Sequence, residues 1–166
     1  KNSQTYYLYK EATMSFVLTL LACLATSEAG HSFVTRDING KVVNLDEHKD
    51  KIVMLNFWAT WCQPCMAEMP HLQKIQNKYK DDLLLIAISV DEARDKSKIK
   101  PYIKSRKYDF VVVHDDDRSI VNFYNPSMQL PYNIIIGYDR EVVFQSAGYS
   151  PGKELVFEKI LDSIVK

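Results

Sequence analysis

Apolar residues fall into distinct patterns along the chain, and each pattern predicts a different element. Ile52-Val53-Met54-Leu55-Asn56-Phe57-Trp58 and Leu83-Leu84-Leu85-Ile86-Ala87-Ile88-Ser89-Val90 are nearly continuous apolar runs, which suits strands covered on both faces in a parallel sheet. Between them Met66, Met69, Leu72, Ile75 and Tyr79 recur at steps of three and four, so the stretch from about Gln63 to Lys80 predicts a helix with one apolar face. Strand, helix and strand in that order make a crossover unit. Shorter segments around turn residues predict hairpins. Asn39-Gly40 lies between segments carrying Phe33, Val42 and Val43, giving an N-terminal hairpin over Ser32 to Leu45. Ile134-Ile135-Ile136 and Val142-Val143-Phe144, joined by Gly137-Tyr138-Asp139-Arg140, predict an antiparallel pair.

The remaining signals are caps and breakers. Ser97 reads as the cap of a helix running to about Lys107, with Pro101 near its first turn, and Phe110-Val111-Val112-Val113 as a short strand. Asp115-Asp116-Asp117 reads as a turn into a helix N-terminus at Ser119, and carries no chemistry. Ser150-Pro151 is the expected start of a last helix whose stripe is Val156, Ile160 and Ile164. The fold class is therefore α/β, with a mixed sheet flanked by helices.

The first 30 residues depart from this alternation. The run from Phe16 to Ala25 is apolar, and Ser27-Glu28-Ala29 offers small residues at a cleavage position, so 1–29 is expected to be a signal peptide and 30–166 the working domain. The run is too short for the roughly 20 residues a spanning helix needs. Met14 offers an alternative start, and Leu20-Leu21-Ala22-Cys23 approximates a lipidation box, which would make the segment an N-terminal membrane anchor. Composition adds one exclusion. Lysine plus arginine equal aspartate plus glutamate at 21 each, so no global field draws the chain toward nucleic acid.

Removal of the leader would leave Cys62 and Cys65 as the cysteines, two residues apart. So small a loop gives little chain-entropy stabilisation, which favours a redox pair over a structural staple. The pair also falls where a buried strand ends and an amphipathic helix begins. The positive end of a helix and its free N–H groups favour a thiolate at Cys62, the species that attacks a disulfide. Cys65, one turn further in, is shielded and placed to resolve the mixed disulfide, and Pro64 suits a first turn because its missing N–H is not needed there.

The run Asn56-Phe57-Trp58-Ala59-Thr60-Trp61-Cys62-Gln63-Pro64-Cys65 resembles the active-site segment of the thioredoxin superfamily, and Glu68-Met69-Pro70 resembles its ResA/TlpA-like branch. The resemblance spans Ser32 to Lys166 in element order. It implies a thioredoxin-like fold with an N-terminal β-hairpin extension, and a thiol–disulfide oxidoreductase in the periplasm or otherwise outside the cytoplasm. Its partners would be client proteins with oxidised cysteines, often in cytochrome c maturation, and an upstream membrane thiol–disulfide electron donor. No cofactor and no metal are implied. Carried over, Cys62 is the attacking thiol, Cys65 the resolving thiol, and Pro131, placed before the Ile134 strand, the cis-proline facing their disulfide in preference to Pro126, with Leu130 open to pair with a client peptide in strand fashion. Glu68 would tune the cysteines or shuttle a proton, because a buried carboxyl near thiols titrates close to neutrality. Many thioredoxins carry a buried aspartate where this chain has Asn56, which cannot titrate. Trp58 is expected in the core and Trp61 at the rim beside Cys62. Tyr132 and Arg140 stand where threonine and glycine are common, which bears on client preference.

Three rival readings make different demands. A soft-metal carrier would need more ligands than Cys62, Cys65 and His71 supply, and His71 and His114 are expected to be solvated. A peroxidase would need a threonine where Ala59 stands, with Thr60 out of step. A docking module with an inert disulfide would have no use for the Cys-x-x-Cys pair.

Overall fold

The computed structural model describes residues 32–166; the stretch 1–29 expected to be a signal peptide or anchor, Cys23 included, lies outside the described residues. The chain enters through β1 (Val34–Arg36) and β2 (Val42–Asn44), an antiparallel hairpin with Val34 opposite Asn44. Its turn is held by Asp37, whose Oδ1 accepts from the backbone N–H groups of Asn39 and Lys41, both at 2.8 Å, while Gly40 takes the left-handed φ of 85°.

The main sheet has the order β5-β4-β3-β6-β7. Its centre is β3 (Ile52–Trp58), buried at every residue, as a continuous apolar run requires. β4 (Leu83–Ser89) and β5 (Val111–His114) extend it in parallel on one side. β6 (Tyr132–Ile136) and β7 (Val142–Ala147) extend it antiparallel on the other, with Asn56 directly opposite Asn133.

The helices α1 (Gln63–Lys78), α2 (Lys96–Arg106), α3 (Ser119–Tyr124) and α4 (Lys153–Ile164) complete the α/β architecture. Strand alternation assigns them to faces. Asn56 reaches Glu68 of α1 and Trp58 packs on Tyr102 of α2 at 5.5 Å between centroids, so α1 and α2 share a face. Phe57 points the other way, toward Tyr124 of α3. α4 packs beside α1, where Phe157 meets Phe144 of β7 edge-to-face at 6.0 Å. No helix among the described residues is long and apolar enough to cross a membrane.

Several local expectations need correction. α2 begins at Lys96, following a 3-10 turn at Ala93–Asp95, so Ser97 is inside the helix and not its cap. Pro101 therefore lies in the helix interior and leaves the Ser97 carbonyl without its intrahelical donor. The short strand starts at Val111, one residue later than expected. α4 begins at Lys153 because Gly152, at φ 96°, interrupts the helical path two residues after Ser150, whose carbonyl instead accepts from Lys153 N–H. Its buried positions are Phe157 and Leu161, with Val156 exposed. Asp115 spends its carboxylate on the N–H groups of Ile120 and Val121 at the start of α3, which agrees with a helix N-terminus. Arg140 adopts a left-handed φ of 67° in the β6–β7 turn and donates through Nη2 to the Leu45 carbonyl at 2.8 Å, tying the segment after the hairpin to the sheet.

Candidate active site

At the end of β3 the chain leaves the sheet through Ala59, Thr60 and Trp61 and turns into α1. Asp91, just beyond β4, holds this loop. Its carboxylate accepts from Thr60 N–H, from Thr60 Oγ1 at 2.6 Å and from Ser89 Oγ at 2.8 Å. The anchored loop delivers Cys62 as the N-cap of α1, where its Sγ accepts from Cys65 N–H at 3.3 Å. Cys62 and Cys65 form a disulfide, with their Cα atoms 5.3 Å apart. Both cysteines are nearly covered, at 5% and 1% residue exposure, whereas Trp61 beside them is 63% exposed.

One turn beyond Cys65, Glu68 has no exposed surface. Two amides hold its carboxyl group: Asn56 Nδ2 donates to Oε2 and Asn133 Nδ2 donates to Oε1, each at 2.9 Å. Asn56 Nδ2 also donates to Asn133 Oδ1 at 2.9 Å, which closes a triangle. Burial raises the Glu68 pKa from 4.5 to about 7; the Asn133 bond, the Lys153 charge and the Asn56 bond pull it down, and Glu154 pushes it up. Tyr149 stands nearby. Its hydroxyl donates to Glu154 at 3.1 Å, and burial together with the Glu154 and Glu68 charges raises it to about 12.

The Leu130–Pro131 peptide bond is cis. Since Phe57 pairs with Tyr132, continuing the register by one residue sets Pro131 beside Trp58, where the cysteine loop departs. Pro131 is buried and its carbonyl accepts from Gly148 N–H at 2.7 Å. Leu130 is half-buried, and its backbone N–H and C=O take no partner among the described residues.

His114 is not solvated as expected: its side chain is 4% exposed and Nε2 lies 2.9 Å from the Asp91 carbonyl. His71 is half-exposed and pairs with Glu154 at 3.5 Å. Neither approaches the cysteines as a ligand, and no group of three or more His, Cys, Asp or Glu among the described residues is arranged to hold a metal. Sequence reasoning missed Asn133 and Asp91. The one available signal for Asn133 is a lone amide in the apolar strand Tyr132–Ile136; Asp91 has a local partner in Ser89, but the Thr60 it anchors lies 31 residues away and is not legible from that pairing.

A buried Cys-x-x-Cys disulfide at a helix start, beside a strand order of parallel and antiparallel halves, defines the thioredoxin-like class. The chain belongs to the AhpC/TSA family, whose model matches residues 27–145. It is similar to the thiol-disulfide oxidoreductase ResA of Bacillus cereus, at 34% identity over 125 residues, covering 75% of this chain and 70% of that one. The ResA of Bacillus subtilis (strain 168) is 36% identical over 113 residues, 68% of this chain and 62% of that one. A crystal structure of a putative thiol:disulfide interchange protein DsbE from Chlorobium tepidum has the same fold, with a TM-score of 0.74 at 23% identity over 82% of this chain and 95% of that one. The protein is a thiol–disulfide oxidoreductase.

Proposed function

We propose that the protein reduces disulfide bonds of client proteins outside the cytoplasm, with residues 1–29 as its signal peptide or anchor and 30–166 as its working domain. The observation that carries this reading is the Cys62–Cys65 pair at the start of α1 with Glu68 one turn further along the same buried face. Kinship with ResA proteins supports a thiol–disulfide role, and the apolar run from Phe16 to Ala25 supports export.

In the reduced protein the Cys62 thiolate attacks one sulfur of the client disulfide. That bond breaks, the first client sulfur leaves as a thiolate and takes a proton, and Cys62 is joined to the second. Cys65 gives its proton to the Glu68 carboxylate and attacks Cys62 Sγ. The mixed disulfide breaks, the Cys62–Cys65 bond forms, and the second client sulfur leaves and is protonated in turn. Two electrons pass to the client, and an upstream membrane dithiol donor restores them. Trp61, Leu130 and Pro131 form the rim that receives the client, with the Leu130 backbone, which takes no partner among the described residues, accepting an extended segment. Clients of the cytochrome c maturation type fit this role.

The test is the reduction potential of the Cys62–Cys65 pair, read by alkylation and peptide mass in dithiothreitol or glutathione buffers at neutral pH. A value near or below about −250 mV is expected. One near about −120 mV would mean that the protein inserts disulfides, and a pair that does not exchange would end the catalytic reading.

A further inference from the structure

A carboxyl group sealed from water needs partners that fix both of its oxygens, because a buried acceptor left unpaired loses its hydration and gains nothing in return. Around Glu68 the supply of donors is limited. The Asn56 amide has two N–H hydrogens, and both are spent: one on Glu68 Oε2 and one on Asn133 Oδ1. The second carboxyl oxygen, Oε1, therefore depends on Asn133. This dependence is built into the sheet, since Asn56 and Asn133 are direct cross-strand partners on the face covered by α1. Asn133 itself is fully buried and is followed by Ile134, Ile135 and Ile136 in the strand. An apolar residue there would suit the strand as well, and the amide is explained by the carboxyl it serves.

We propose that Asn133 is a positioning residue of the thiol–disulfide reaction: braced by Asn56, its amide fixes the Glu68 carboxyl one helical turn beyond Cys65, where it takes the proton that Cys65 gives up. The proposal rests on Glu68 acting as the proton carrier. The other groups acting on Glu68 are Lys153 and Glu154 of α4 and Tyr149 just before it, and they stay in place when residue 133 is changed. Removing the Asn133 donor withdraws a bond made to the charged carboxylate, so the proton is held more tightly and the carboxyl is free to turn away from Cys65.

The experiment uses the full chain with Asn133→Val, which keeps a strand-forming side chain of similar size, and Asn133→Thr, which keeps a hydroxyl donor. Glu68→Gln serves as the reference. The Glu68 titration midpoint is read by carbon NMR of labelled glutamate in the oxidised protein, and the pH profile of mixed-disulfide resolution by stopped flow with glutathione disulfide. Asn133→Val is expected to move the midpoint up by about one pH unit and to slow resolution at pH 7 roughly tenfold, with Asn133→Thr in between. An Asn133→Val protein that is folded and keeps the wild-type midpoint and profile overturns the proposal, whatever its melting temperature. A Glu68→Gln protein that resolves mixed disulfides at the wild-type rate and profile overturns the proton-carrier reading instead, and the proposal with it.

Discussion

A glutamate that titrates near neutrality couples folding to pH in the direction opposite to an ordinary salt-bridged carboxylate. Glu68 sits at about 7 in the folded chain against an ordinary value of 4.5. Between these values the folded protein holds the proton and the unfolded chain releases it, so raising the pH through that window favours unfolding. The contribution is complete below 4.5 and gone above about 7. The shift corresponds to roughly 3 kcal/mol at full strength. Denaturant titrations at pH 4.5 and 8 should therefore show wild-type stability falling with pH by about that amount relative to Glu68→Gln. Parallel behaviour of the two proteins would mean that the carboxyl finds compensating charge when it ionises. The same residue illustrates what could be read from the chain and what could not. Glu68 follows Cys65 by three positions and so shares its helical face, a local relation visible in sequence. Its partner Asn133 lies 65 residues away and becomes a neighbour only when β6 pairs with β3.

At the scale of elements, periodicity located the helices better than it located their faces. In α1 the steps Met69, Leu72 and Ile75 are buried as spaced. In α4 three apolar residues stand in a row, Leu155, Val156 and Phe157, and helical spacing alone is compatible with a stripe through any of them. The sheet decides: Phe144 of β7 receives Phe157, which has no exposed surface, and Leu155 and Val156 turn outward at 64% and 43% exposure. Phe157→Ala is expected to destabilise the protein by about 3–5 kcal/mol, while Val156→Ala stays within about 0.5 kcal/mol. Thermal melts of the two variants check this directly, and a larger loss at Val156 would restore the other stripe. Helix starts depend on context in the same way. Ser97 and Ser150 both look like caps, but the 3-10 turn at Ala93–Asp95 and the left-handed Gly152 set the actual boundaries.

The whole molecule joins a small hairpin to a larger sheet, and the connection is made along the outermost parallel strand. Ile38 N–H donates to the Val112 carbonyl at 2.9 Å, and Asp37 forms a bridge with Val113, so the hairpin end lies along β5. At the opposite border, the Lys153 ammonium takes the carbonyls of Ala147 and Gly148 at the end of β7. An uncovered outer strand is a template for pairing with another chain, and β5 is rich in valine, with Val111, Val112 and Val113 in sequence. A chain lacking residues 32–44 is therefore expected to scatter light and bind a cross-β dye at concentrations where the full chain stays clear; equal clarity would show that β5 is guarded by other means. The hairpin's contribution is then colloidal as much as structural: by occupying the outer side of β5 it withholds an edge on which further copies of the chain would otherwise stack.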